Sequence, residues 1–270
     1  MEKATVLPYN EINKNRRPCK QSCPRGEECR MKRFLRYLRN ALIIVLGLAI
    51  IAGTAFSVAC FGDYRKRVEA EPVAEKVTAL RREEGYVPIG EISENFQKAI
   101  VAIEDHRFYS HGGIDIISIG RVLWKSLWNG RIVGGASTIT QQVCKNIYLS
   151  QEQSLSRKVT EVFFAFKLEH ELSKEDILEL YCNTSYFGNG RTGIAAASAY
   201  YHTDPSDLTV AQAAFLAALP QAPSYFADNP EQMEGRWRAV LGAMVAYGYL
   251  TEGERDEIVA QGCPIPDELR

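Results

Sequence analysis

Residues Ala41 to Gly62 read ALIIVLGLAIIAGTAFSVACFG, a run with no charged side chain. As a helix rising ~1.5 Å per residue, the run spans about 33 Å, enough to cross a hydrocarbon core of roughly 30 Å. A helix on the surface of a soluble core keeps a polar face, and this one keeps none. A cleaved leader is the main rival, but its apolar part is usually ~7–15 residues long and lies nearer the start of the chain. The run therefore predicts an uncleaved anchor. It divides the chain into a tail (1–40), a transmembrane span (41–62), a partly helical stalk (63–88) and an outer domain (89–270).

Charge follows the same division. The 270 residues carry a formal net charge of −1. Residues 1–40 hold 11 Lys/Arg against 4 Asp/Glu, and the remainder is acidic by 8. Arg30, Lys32, Arg33, Arg36 and Arg39 crowd the upstream flank, whereas the downstream flank Asp63–Glu69 is mixed. The positive-inside rule places the tail in the cytoplasm and the outer domain beyond the membrane. Because the basic run abuts a span, it reads as a topology signal and not as a nucleic-acid contact. A hydrophobic share of 46% excludes a disordered chain, and 20 Gly with 11 Pro exclude a collagen-like one.

Seven cysteines are present. Cys19, Cys23 and Cys29 fall in the tail at a spacing unlike that of a standard zinc site, and read as free thiols. Cys144, Cys182 and Cys263 fall outside, where at most one pair can form and nothing selects it.

Beyond the stalk the pattern is helical almost throughout, so the fold class is mainly α. Ser93 caps a stretch carrying Phe96, Ala99, Ile100 and Ile103 at helical spacing. Asp115 opens a segment with Ile116, Ile119, Val122, Leu123 and Leu127 that Gly130 closes. Ser156–Leu172 carries Val159, Val162, Phe163, Phe166 and Leu168. Ser173 with Asp176, and Thr251 with Glu254, form capping pairs. Ser-x-x-Lys and Lys-Thr-Gly are both absent, so no penicillin-type acyl-transfer motif is present.

Four stretches hold residues suited to chemistry. In Glu104–Asp115 (EDHRFYSHGGID) an apolar helix runs into adjacent carboxylates, where apolar neighbours can desolvate a general base. A solvated helix end would look similar. His106 and His111 are five apart across a glycine break, unlike a helical metal pair. In Gly134–Asn146 (GGASTITQQVCKN) a helix start offers N–H donors to an anion, and Thr138, Gln142 and Lys145 fall on one face. Arg157, Lys158 and Glu161 sit at ion-pair spacing, which alone means only a surface pair. Tyr186–Tyr201 (YFGNGRTGIAAASAYY) holds a Gly/Asn-rich turn before an Ala-rich helix.

The order and spacing of these stretches, with Arg157–Asn183 and Leu208–Phe226, resemble the five motifs of the peptidoglycan glycosyltransferases, glycosyltransferase family 51. The resemblance runs from about Ile89 to Ala260 and looks like the monofunctional members. It implies a lysozyme-like, mostly α domain with a small membrane-touching jaw. It also implies a substrate, lipid II, added to a growing glycan chain on undecaprenyl pyrophosphate with inversion at the anomeric carbon. Glu104 matches the general base and Glu161 the second acidic residue. Asp105, Phe108, His111, Thr138, Gln142, Lys145, Arg157, Lys158 and Asn189 match substrate-binding positions. No metal ligands are read from the sequence and no cofactor is required by it, although some members respond to a divalent ion such as Mg or Mn. Expected partners are lipid II, the glycan chain, the membrane and other cell-wall synthesis proteins. The alternatives are a non-catalytic lipid II-binding scaffold and a lysozyme-like hydrolase. The chain departs from the pattern at His202-Thr203, where the family often has Gly-Lys, and at Cys144 and Cys182.

Overall fold

The computed structural model describes residues 25–131, 135–149, 154–221 and 230–269. Cys19 and Cys23 lie outside these residues, as do Gly134 and the end of the Leu208–Phe226 motif, and so does the side chain of Cys29. Among the described residues the architecture is helical, with one isolated bridge between Tyr186 and Thr192. The chain divides into two compact units, 1–55 and 56–270.

Helix α1, Arg25–Ala70, contains the apolar run. Leu42, Ile43, Ile44, Leu48 and Ile51 are all exposed, and no part of the apolar window is buried in the protein. Burial of such side chains is worth about 1.5–3 kcal/mol each, so the helix needs an apolar surrounding that the chain does not supply. One helix long and apolar enough to cross a membrane is therefore present, as the sequence predicts.

The segment expected as a stalk is helical to Ala70 and again in α2, Val73–Leu80, and it packs on the body of the second unit. Val73 and Val77 are buried in the core. Tyr64 meets Phe163 and Phe164 ring against ring. Arg81 binds Asp176 at 2.5 Å and Glu179 at 2.9 Å, and Glu179 also accepts from Tyr86 Oη and the Ile89 N–H. Sequence alone hides this docking, because Val73 and Val77 stand in a charged context.

The body is built around α3 (Glu94–Glu104), α5 (Ile139–Tyr148), α6 (Leu155–Glu171), α7 (Lys174–Thr184), α8 (Ile194–Ser198), α9 (Val210–Ala218), α10 (Pro230–Ala246) and α11 (Glu252–Gln261). Helix α3 packs against α9 and α10, and α5 packs against α6 and α7. Phe96, Ala99 and Ile100 on α3 are fully buried, as their spacing predicts. The predicted caps are present: Ser93 Oγ accepts from the Asn95 N–H, and Ser173–Asp176 and Thr251–Glu254 form capping boxes.

Helix α6 turns a different face inward from the one its apolar residues suggest. Thr160, Glu161, Phe164, Ala165 and Leu168 are buried, and Phe166 is exposed. The cause is the end of α1, whose Phe61 and Tyr64 cover Phe163 and leave the neighbouring stripe to face the body.

Helix α4, Ile116–Asn129, is the exception to the packing. Asp115 caps its start and left-handed Gly130 ends it, as predicted, but none of its residues is buried. Cys60, Cys144, Cys182 and Cys263 are all free thiols. Burial pushes the Cys144 and Cys182 thiols up, and that of Cys263 up to about 12.

Candidate active site

Glu104 is the last residue of α3, where the buried stripe of that helix delivers it to the edge of the core. Its side chain is only 13% exposed. Gln142 Nε2 on α5 donates to Glu104 Oε2 at 2.8 Å. Arg236 on α10 brings a guanidinium nitrogen within 3.5 Å of Oε1. Arg236 escapes sequence reading because it lies 132 positions beyond Glu104, although α3 and α10 pack together. Burial pushes its guanidinium down from the usual range, and Glu104 opposes that shift. The Tyr181 phenol, fully buried on α7, is pushed up by burial first and by Glu104 second. It therefore stays protonated behind the carboxylate.

Asp105, which is buried, ties three segments together. Its Oδ2 lies 2.9 Å from His111 Nε2 and accepts from the Ile139 N–H at 3.1 Å. That N–H is a free donor at the start of α5, so part of the anion position predicted at this helix start is filled from within by Asp105. Thr138 caps the same helix in a capping box with Gln141, and its Oγ1 donates to the Gly113 carbonyl at 2.7 Å. Gly113 has φ +83°, and a Cβ there would stand 3.1 Å from the Ala165 backbone of α6. Only glycine lets the loop lie this close.

The remaining predicted residues divide by position. Phe108 has no exposed surface: its ring packs against Tyr109 and His111 with Lys174 Nζ 4.4 Å above it. It braces the core from within. His111 is nearly buried and engaged with Asp105. Lys158 Nζ donates to Ser137 Oγ at 2.8 Å and to the Glu161 carboxylate. Arg157 Nη1 lies 3.6 Å from the other Glu161 oxygen, and Glu161 itself is buried. Lys145, half-buried, makes no ion pair among the described residues and follows Gln142 by three positions on α5. Asn189 lies at an exposed turn with φ 48°, and no hydrogen bond or ion pair joins it to Glu104.

A cavity of about 160 Å³ opens beside Glu104. Glu104, Asp105 and His106 line one part of it, and Ser137 and Thr138, Arg121 and Asp115 line the rest. Ser137, on the cavity wall, accepts from Lys158 Nζ, which in turn pairs with Glu161. Asp105, His111 and Asp115 place ligand-type atoms within 4.8 Å of one another. Asp105 is already taken by His111 and Ile139, and Asp115 by Arg107 and Ser118. A guanidinium in that shell opposes a cation, so the group does not fit a metal site.

Comparison with known proteins gives the family. A family model described as Transglycosylase matches residues 71–245. A Cupriavidus necator protein named as a transglycosylase is 39% identical over 225 residues, covering 82% of this chain and 96% of its own length. Penicillin-binding protein 1F of Bacillus subtilis is 43% identical over 179 residues, 65% of this chain and 25% of its own length. Penicillin-binding protein 1A of Neisseria lactamica is 43% identical over 180 residues, 66% of this chain and 22% of its own length. The matched region thus spans about a quarter of those two relatives. The match over residues 71–245 and the relative covered over almost its whole length establish that the chain belongs to the transglycosylase family, the peptidoglycan glycosyltransferases of family 51.

Proposed function

We propose that the protein polymerises lipid II into β-1,4-linked glycan strands of peptidoglycan. The donor is the growing strand on undecaprenyl pyrophosphate, and the acceptor is another lipid II. Glu104 takes the proton of the acceptor 4-hydroxyl as that oxygen forms its bond to the anomeric carbon of the donor. The bond from that carbon to the pyrophosphate oxygen breaks with its electron pair, so an α-linked donor gives a β-linked product. A sugar hydroxyl is a poor nucleophile, so a positioned base must act in the transition state. Gln142 and Arg236 hold the Glu104 carboxylate in place.

Departing pyrophosphate gains negative charge, and fixed cations stabilise it. Lys158 stands on the Ser137 side of the cavity, and Arg157 pairs with the same Glu161 carboxylate. Nε of Arg157 is buried with no hydrogen-bond partner among the described residues, a charge-bearing donor open to an anion. Lys145 adds an ammonium that makes no ion pair among the described residues. Glu161 sets the positions of Lys158 and Arg157. No step is routed through a divalent ion, because Lys158 and Arg157 already occupy the Glu161 oxygens.

The single observation that carries this reading is the cavity lined by both Glu104 and Ser137, the hydroxyl that accepts from Lys158. The anchor fits the substrate, since exposing a polyprenyl chain to water costs about 0.8 kcal/mol per CH₂. The reading places the protein in the cell membrane with the tail in the cytoplasm and the catalytic unit outside, where the exposed apolar residues of α4 meet the membrane surface as the jaw. The test is conversion of lipid II by the purified full-length protein. The reading expects lysozyme-sensitive polymer. Saturable lipid II binding without product would favour the scaffold, and release of sugar fragments from intact wall without lipid-linked substrate would favour the hydrolase.

A further inference from the structure

His106 stands in the cavity beside Glu104 and takes no part in the chemistry described above. Its ring stacks on Tyr247, just beyond the end of α10, with centroids 4.2 Å apart and planes 15° from parallel. Such a stack fixes a ring's plane at little entropic cost. The imidazole is half-buried and makes no hydrogen bond to any described residue. Burial, then the nearby Arg121 charge, pushes it below the ordinary histidine range; Asp105 opposes this and Arg107 adds to it. The ring is therefore uncharged at neutral pH. A neutral imidazole offers one donor and one acceptor, the complement of a sugar hydroxyl or acetamido group. A phosphate oxygen only accepts, and cations on the Ser137 side already serve it.

We propose that His106 is a substrate-reading residue: held flat by Tyr247, its ring nitrogens exchange hydrogen bonds with the acceptor saccharide whose hydroxyl faces Glu104. The assignment rests on the reading of Glu104 as the base. His106 thereby divides labour with the cations. It recognises sugar, and they recognise pyrophosphate. A cavity built to hydrogen-bond a polar group rejects an acceptor lacking that group more strongly than an apolar wall would.

The test uses the full-length protein with His106→Phe, which keeps a flat ring and loses both nitrogens, and His106→Gln, which restores a donor and an acceptor. Lipid II polymerisation is followed against lipid II concentration. His106→Phe is expected to raise KM about tenfold with kcat within about twofold, and His106→Gln to recover most of the loss. The same pair is compared for lipid II binding in a Glu104→Gln background, where no turnover intervenes and the same tenfold loss is expected. If the wild-type protein forms no polymer, the proposed activity fails, while the binding arm still decides the role of His106. His106→Phe binding and reacting as wild type would overturn the assignment. So would His106→Gln proving as damaged as His106→Phe, since the ring would then matter only for packing on Tyr247.

Discussion

Helices α3 and α4 lie close together in the sequence and read alike, yet they meet different surroundings. Each is amphipathic and each is capped by an acidic or hydroxyl side chain. The apolar stripe of α3 is sealed between α9 and α10, with Phe96 0% exposed. The stripe of α4 touches no core: Leu127 is 80% and Trp128 81% exposed. Period alone says that a helix has an apolar face and does not say what covers it. The protein covers α3, which makes Glu104 a fixed group. It leaves α4 uncovered, and an apolar face flanked by Arg121, Lys125 and Arg131 suits an anionic bilayer surface.

This contrast can be broken or sharpened by substitution. Phe96→Ala empties a sealed site on α3 and is expected to cost about 3–5 kcal/mol, measured by denaturation in detergent. Asp105→Asn weakens the link from the end of α3 to His111 and the start of α5. It should cost about 1–3 kcal/mol in the same measurement and lower turnover as well. Arg236→Gln leaves α3 packed but frees the Glu104 carboxylate. Turnover is expected to fall about tenfold, with lipid II binding little changed and partial recovery in Arg236→Lys. Leu127→Ser with Trp128→Ser on α4 should shift stability by less than about 0.5 kcal/mol per residue. That pair should instead reduce quenching of tryptophan fluorescence by quenchers placed in lipid vesicles. A large stability loss from the α4 pair would show that its face is covered by protein after all.

Local chemistry made much of this legible. The caps at Ser93, Asp115, Ser173 and Thr251 act within three residues, so the sequence displays both partners. Glu104, Gln142, Lys158 and Glu161 were legible through motif order, and the structure joins them as two linked pairs. Long-range partners were not legible. Arg236 reaches Glu104 only because α10 packs on α3. Asp105 fills the start of α5, and only the close approach at Gly113 shows why that loop sits there. Phe108 is named a site residue only through the family resemblance, and sequence does not show that its ring turns into the core.

The most direct test of the account is lipid II polymerisation by the full-length protein with and without Glu104→Gln, read together with lipid II binding. The account predicts polymer from the wild type, at least about a thousandfold less from the variant, and binding within about threefold in both. Polymer formed by Glu104→Gln at the wild-type rate would contradict it.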